Sequence, residues 1–240
     1  MNAPMQISGS GTIPSGEYSE IRISGSGKLQ GNIKCQNFLS SGSCQGEQLI
    51  CEHTYIASGS VSFSGNISAN TIKSSGSFSC QGSITANQLN HTGSMQCSNS
   101  IKCQQLLING ALKTNEGIEA EELSINGAVS CHDLINAENV EINFWDKVSI
   151  GSIGGNHIQL HAKQKIIKFL WFSLVKDFKL GKACVYNTIE GNQIHLDNTN
   201  CPRVSGRVVR IGKGCQIDLV QYTDSIEIHP NANVKKIEKV

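Results

Sequence analysis

Charged residues are scarce in this chain, and their scarcity limits the partners that its surface suits. They make up 16% of the 240 residues and leave a net charge of +1, so no overall basic character favours nucleic acid. Between residues 25 and 109 the only charged side chains are Lys28, Lys34, Glu47, Glu52, Lys73 and Lys102. The outer surface there must consist of Ser, Asn, Gln and Thr, a neutral surface that does little to repel copies of itself.

The sequence also lacks the common signatures of cofactor sites and of export. It contains no C-x-x-C pair, no P-loop and no G-x-G-x-x-G opening a helix, so we expect neither a structural zinc site nor a nucleotide site. The first five residues carry no basic or apolar signal region. With ten cysteines, this favours the reducing cytoplasm, with contact at the inner face of the membrane left open.

No group of residues predicts catalysis, and we expect no enzyme and no cofactor. One acidic cluster lies mostly at the corners and outward-facing positions of a 17-residue repeat in the chain; its members are Glu116, Glu119, Glu121, Glu122, Glu138 and Glu141. These positions predict a solvated face and not paired catalytic carboxylates. His157 and His161 could share one face of a strand, but no third metal ligand is evident nearby. We therefore expect them to be ordinary surface histidines.

What the sequence does contain is a repeat of 17 residues that runs without a gap from residue 25 to residue 143. Each segment begins with glycine, at Gly25, Gly42, Gly59, Gly76, Gly93, Gly110 and Gly127. Isoleucine follows eight residues later, at Ile33, Ile50, Ile67, Ile84, Ile101, Ile118 and Ile135. A further apolar position holds Phe38, Tyr55, Ile72, Leu89, Leu106, Leu123 and Val140.

Within each segment the apolar residues alternate with polar ones in three short runs, too short for helices and typical of strands. Gly, Asn, Ser, Gln and Glu separate the runs and favour corners. Three strands and three corners in 17 residues predict one turn of a single-stranded, three-sided parallel β-helix, an all-β solenoid. Equivalent residues would then stack about 4.8 Å apart, with the Ile ladder on one core wall and glycine where a Cβ is unfavourable.

Two details refine this prediction. In residues 42–58 the usual small inward position holds Glu52, and Cys44 and Gly46 look displaced by two places, so we expect a bulge or irregular corner there. Cys80, Cys97 and Cys131 share one inward position, and Cys35 and Cys103 share another. Cysteine in these positions acts as a small core hydrophobe.

The repeat divides the chain into a short tail at residues 1–8, β-helix repeats at 9–161, an insertion at 162–182 and C-terminal β-helix turns at 183–240. The spacing of 17 returns between Ile194, Ile211 and Ile228, and also pairs Val209 with Ile226, Ile217 with Val234, and Val220 with Ile237. Leu160 to Ile194 is two periods. The insertion therefore replaces or interrupts about one turn.

The insertion is rich in aromatic and apolar residues and contains six lysines with one aspartate. One interpretation is a helix or loop that packs on a β-helix face or covers a sheet edge. The other is an element that contacts an anionic membrane surface or a partner protein. Its candidate contact residues are Lys165, Lys168, Phe169, Leu170, Trp171 and Phe172. It is too short, and too interrupted by lysine, to span a bilayer.

The C-terminal block resembles the ending of the bactofilin-like family of polymer-forming bacterial proteins. The resemblance rests on E-G-N-x-I-x-L at residues 190–196, R-I-G-x-G-C-x-I-D-L-V at 210–220 and I-x-I-H-P-N-A at 226–232. It implies a right-handed β-helix that assembles end to end into cytoskeletal filaments without nucleotide, often at a membrane. This chain differs from the family in its hydrophobic insertion and in having almost no N-terminal tail.

Two functional hypotheses follow. A β-helix presents unpaired backbone groups at its ends, and no amphipathic capping helix is evident, so the leading hypothesis is a structural protein that polymerises with itself through its terminal coils. The candidate interface residues are Ile7, Ile13, Ile21, Ile23, Ile226, Ile228, Val234 and Ile237. Lys235, Lys236 and Lys239 could moderate the stacking. The alternative is a monomeric or small-oligomer scaffold that binds a partner or membrane through residues 163–180.

Overall fold

The computed structural model describes residues 3–163 and 180–240, and its strands fall into two compact units, Met1–Glu122 and Leu123–Val240. Both units confirm the predicted all-β, parallel solenoid. The first unit contains β1 (Met5–Ile13), β2 (Gly16–Leu29), β3 (Asn32–Gly46), β4 (Gln48–Phe63), β5 (Ile67–Cys80), β6 (Ile84–Cys97) and β7 (Ile101–Thr114). Strand β8 (Ile118–Phe144) crosses the boundary between the units.

Successive strands of the first unit pair in parallel, and glycine pairs with glycine along the ladder from Gly9 through Gly25 to Gly110. The backbone at Gly76 has φ +99°, a value that L-residues with a side chain rarely adopt. A Cβ at Gly76 would also overlap the carbonyl oxygen of Gly59 in the preceding coil. Glycine is therefore required here by the close approach of neighbouring backbones as well as by the local conformation.

The core consists of the predicted ladders. Phe38, Tyr55, Ile72, Leu89 and Leu106 are paired in register, and all are fully buried. The rings of Phe38 and Tyr55 stack with centroids 4.9 Å apart. The cysteine ladders are also confirmed in this unit, since Cys80 pairs with Cys97, while Cys35 and Cys103 lie on one ladder through Cys51, Ala69 and Ala86.

The expected irregularity in residues 42–58 is present, but its details differ from the prediction. Ile50 does not belong to the isoleucine ladder: Leu49 pairs with Ile33 and Ile67, and Ile50 points outward with 42% exposure. The corner before Leu49 is one residue short, and a register shift between Cys51 and Thr54 restores the period. Glu52 lies in that shift and is exposed.

Cys44 and Gly46 are not displaced, contrary to the prediction. Cys44 pairs with Val61 and Gly46 pairs with Phe63, so both keep the regular register of the glycine-led strand. A Cβ at Gly46 would approach Cε1 of Phe63 to 2.5 Å. The missing side chain at Gly46 is therefore matched by a large ring in the next coil.

The chain enters the solenoid earlier than the sequence predicted. Residues 5–8, expected to form a free tail, belong to β1, which pairs in parallel with β2 from Met5–Ile21 to Ile13–Leu29. The spacing is 16 residues, so the first coil is one residue shorter than the 17-residue period. Ile7 is 9% exposed and joins the core.

The second unit contains the rest of β8, then β9 (Val148–Ala162), β10 (Ala183–Val185), β11 (Thr188–Leu196), β12 (Thr199–Ile211), β13 (Gln216–Ile228) and β14 (Asn233–Lys239). The predicted pairs Val209–Ile226, Ile211–Ile228, Ile217–Val234 and Val220–Ile237 are all in register. The predicted step from Ile194 to Ile211 is wrong, because Ile194 pairs with Val209 and Leu196 with Ile211. That coil is two residues shorter than the period.

The chain around the insertion also differs from the prediction. Ile158 pairs with Ile194 and Leu160 with Leu196, a spacing of 36 residues between adjacent strands. Leu160 and Ile194 are therefore not partners. Because β9 pairs directly with β10 and β11, the chain rejoins the ladder in the coil next to the one that it left: of the two predicted possibilities, the insertion interrupts the ladder.

The glycine ladder gives a first test of this fold. Gly76→Ala should destabilise the protein by about 1–3 kcal/mol, because a Cβ meets the Gly59 carbonyl and the backbone conformation disfavours a side chain. Ser77→Ala, at an exposed neighbouring position, should change stability by less than about 0.5 kcal/mol. Urea unfolding followed by circular dichroism measures both, and equal midpoints would contradict the assigned packing.

Candidate functional site

The N-terminal sheet edge is formed by β1, which among the described residues pairs only with β2. Its residues include no charged side chain and no proline; Pro4 and Pro14 lie just outside it. Proteins blunt exposed edges with charges, prolines and bulges, and β1 has none of these within its length. Its outer backbone groups are therefore open to pairing with another strand.

The C-terminal sheet edge is formed by β14 together with residues 223–228 of β13. Strand β14 pairs only with β13 among the described residues, and it ends opposite Tyr222. Ile226 and Ile228 consequently have a ladder neighbour only on the β12 side. They are half-buried, as is Val234, while Ile237 is 49% and Val240 68% exposed. Among the described residues, no further coil covers the core-type side chains at this edge.

The eight predicted interface residues thus divide into two groups. Ile226, Ile228, Val234 and Ile237 are partly exposed and suited to contact another chain. Ile13, Ile21 and Ile23 are at most 2% exposed, and Ile7 is only 9% exposed. They are core residues of their own coils, so the N-terminal edge can offer its backbone but not these side chains. A charge at Ile21 would disrupt the fold rather than probe an interface.

Two of the three lysines at the C-terminal edge form ion pairs within the chain. Lys235 contacts Asp218 at 2.8 Å, and Lys236 contacts Glu238 at 2.5 Å. The hydrogen bond from Lys236 lowers the pKa of the Glu238 carboxyl. The local charges therefore cancel in pairs and oppose stacking less than the lysine count suggests.

The predicted contact residues of the insertion lie outside the described residues; they are Lys165, Lys168, Phe169, Leu170, Trp171 and Phe172. On the described side of the insertion, Leu180 is 40% exposed. No helix in the part of the chain that the structure describes is long and apolar enough to cross a bilayer.

The acidic cluster is exposed, as expected for a solvated face: Glu116, Glu119, Glu121, Glu122, Glu138 and Glu141 all lie at the surface. Glu119 accepts from Lys102 at 2.9 Å, and Glu138 accepts from Asn156 at 2.7 Å. These contacts are ordinary surface pairs between neighbouring coils.

The histidines are arranged differently from the sequence interpretation. His161 meets His195 and Asp197 of β11 and its following corner, and one ligand-type atom from each lies within 4.8 Å of the other two. Nδ1 of His161 is 3.1 Å from Oδ2 of Asp197, and the two imidazole rings pack edge to face at 4.9 Å. Sequence reasoning missed this because the partners are 34 and 36 residues away. The only sequence signals for this cluster were two short spacings typical of metal ligands: H-x-x-x-H at residues 157–161 and H-x-D at residues 195–197.

Five buried thiols are poor nucleophiles because burial disfavours the thiolate. Burial raises the pKa of Cys44, Cys103 and Cys201 to about 12 and that of Cys131 and Cys215 to about 11. At pH 8 these groups are therefore almost entirely protonated and unreactive.

The remaining buried cysteines form two thiol pairs. Cys35 pairs with Cys51, and Cys97 pairs with Cys80. The hydrogen bond within each pair is the main cause that raises the pKa of Cys35 and of Cys97, and burial is the second cause. The same hydrogen bonds lower the pKa of Cys51 and Cys80. Those two sulfurs are at most 1% exposed, so reagents do not reach them. In the part of the chain that the structure describes, neither thiol pair offers an accessible nucleophile.

Thiol titration at pH 8 tests this packing. Of the ten cysteines, only the partly exposed Cys184 should react rapidly with an aromatic disulfide reagent in the folded protein, and all ten should react in denaturant. Cys184→Ser should abolish the fast reaction, and Cys103→Ser should retain it. Two or more fast thiols in the folded protein would contradict the assigned burial.

Comparison with known proteins gives little further identification. No protein-family model matches the chain, and no solved structure matches it. An uncharacterized protein of Bacillus subtilis strain 168, YhbF, is 36% identical over 62 residues. The match spans 26% of this chain and 26% of YhbF.

Proposed function

We propose that this chain is a non-enzymatic structural protein that assembles into filaments, with the C-terminal edge of one copy pairing with the N-terminal edge of the next. The observation that carries the proposal is the row of partly exposed core residues at the C-terminal edge: Ile226, Ile228, Val234 and Ile237. A coil added there would cover these side chains and pair the free backbone groups of β14.

The two edges are suited to each other in register and chemistry. Paired residues of β13 and β14 are 17 positions apart in the sequence, and paired residues of β1 and β2 are 16 apart. Because the two coil lengths are nearly equal, β1 of another copy can serve as the next coil of the ladder. Strand β1 brings an uncharged backbone edge, and the C-terminal edge brings the apolar side chains. Burying the exposed half of Ile237 would contribute on the order of 1 kcal/mol, in addition to the backbone hydrogen bonds.

Pairing two different edges is a head-to-tail contact, which leaves a free edge of each kind after every addition. Such contacts build open filaments unless the rotation closes them into a ring. The scarcity of charge over residues 25–109 adds little repulsion between copies. Because no step in this pairing involves a phosphate group, the assembly needs no nucleotide. The resemblance of residues 190–232 to the bactofilin-like family supports the same conclusion.

The proposed location is the cytoplasm. The lysine-rich and aromatic composition of residues 162–182 favours peripheral contact with the inner face of the membrane. The ladder continues from β9 to β10 and β11 on the far side of this segment. In this proposal the segment contacts a partner or membrane while the coils assemble.

Ile237→Lys should abolish filaments or raise the critical concentration for assembly at least tenfold. A tenfold rise corresponds to a loss of about 1.4 kcal/mol in the free energy of association. The substitution places a charge on the edge that the next copy must cover, which is how natural edge strands prevent pairing. At 49% exposure the site tolerates lysine without unfolding. Ile56→Lys is the matched control, because Ile56 is 42% exposed on an outward strand position away from either edge. Negative-stain electron microscopy and sedimentation velocity measure the outcome.

The proposal fails if Ile237→Lys and Ile56→Lys assemble equally well. Discrete particles from the intact protein would favour the binding-scaffold alternative. Filaments that disappear only when residues 163–180 are deleted would make that segment the assembly contact.

A further inference from the structure

The His161–His195–Asp197 cluster joins the end of β9, where the chain leaves the solenoid, to the corresponding corner of the next coil. His161 is the penultimate residue of β9, His195 is the penultimate residue of β11, and Asp197 directly follows β11. The pairing of β9 with β11 places them together: Leu160 pairs with Leu196, and the Asp197 amide donates to the Leu160 carbonyl at 2.8 Å. The backbone therefore holds the three side chains next to one another.

We propose that His161, His195 and Asp197 form a binding site for a divalent transition-metal ion of the Zn²⁺ class. Two imidazole nitrogens and one carboxylate oxygen are a donor set that Zn²⁺ and its neighbours accept, with the remaining positions open to water. The donor atoms lie within 4.8 Å of one another. Donors bound tetrahedrally to one zinc are about 3.3 Å apart, so a small inward rotation of the side chains completes the site.

The side chains have room for that rotation. The exposed fractions are 22% for His161, 31% for Asp197 and 41% for His195. A shallow depression of about 230 Å³, lined in part by His157, Gln159 and His195, opens beside the cluster and gives water access to the open positions. The site is thus preformed by the ladder but not closed by neighbouring atoms.

Gln159 is placed to orient His161 as a metal ligand. Its Oε1 atom lies 3.1 Å from Nε2 of His161, while Nδ1 faces Oδ2 of Asp197. With Nδ1 bound to the metal, Nε2–H donates to the Gln159 oxygen. Metal-bound histidines are commonly held by such a hydrogen bond from the other ring nitrogen.

The nearby cations do not prevent binding of a divalent ion. Arg210 pairs in register with His195, but its guanidinium contacts Glu227 at 3.1 Å, so its charge is compensated within its own strand pair. Lys163, which directly follows β9, is exposed to solvent.

A bound ion would cross-link β9 to β11, the strand that pairs with it on the far side of residues 163–182. Because the three ligands come together only in the folded ladder, the ion would bind the folded chain but not the unfolded one. Binding should therefore raise thermal stability in proportion to the logarithm of metal concentration.

The test uses the full chain, freed of metal with a chelator and titrated with zinc chloride alone. We expect one zinc per chain by calorimetry and a rise of the unfolding midpoint by several degrees at a hundredfold excess over the dissociation constant. His161→Ala and Asp197→Ala should each weaken binding at least tenfold and lose the zinc-dependent shift. His132→Ala, at an exposed position outside the cluster and outside the depression, should behave as the intact protein does.

Two further measurements keep the test decisive. His195→Gln changes the most exposed ligand and should retain the fold, as judged by circular dichroism, even if the other variants do not. Substitution with Co²⁺ should give d–d absorption without a thiolate charge-transfer band, which separates this site from the cysteines. The proposal is overturned if the intact chain shows no saturable zinc binding, or if all cluster variants bind as it does.

Discussion

Each coil of this protein depends on the backbone hydrogen bonds that it makes to the coils on either side. These bonds fix the distance between coils, and that distance leaves no room for a Cβ where Gly76 faces Gly59. They also place equivalent side chains on top of one another, so Phe38, Tyr55 and Ile72 form a continuous core wall. A coil that lacks a neighbour leaves backbone groups unpaired, and at the C-terminal edge it also leaves core-type side chains such as Ile237 exposed. The proposed function follows from that requirement.

The repeat made most of the fold predictable. Two residues that are 17 apart in the sequence are ladder partners in adjacent coils wherever the corners between them keep their usual length. It failed where a corner changed. One residue is missing before Leu49, which moved Ile50 outward, and two are missing between Ile194 and Val209. Periodicity cannot detect such changes when a later bulge restores the count. The extra chain at residues 163–182 likewise concealed the pairing of Ile158 with Ile194.

The candidate sites were predictable to different degrees for the same reason. Apolar residues in the last strands indicated an uncovered C-terminal edge, and Ile237 is indeed half-exposed. The first coil carried the same apolar pattern, but Ile21 and Ile23 are covered within their own unit. Sequence pattern identifies residues that face the core and cannot tell whether another coil lies over them. The contact of His161 with Asp197 needed the true register across the insertion, which only the structure supplied.

Hydrogen–deuterium exchange at a series of protein concentrations tests the central claim, that an uncovered coil edge pairs with another copy. If the edges pair, peptides covering residues 233–239 and 5–13 should become protected as concentration rises. Peptides in the middle of a ladder, such as residues 84–97, should exchange at the same slow rate throughout. Exchange at both edges that stays fast and independent of concentration, under conditions where the protein assembles, would contradict the account.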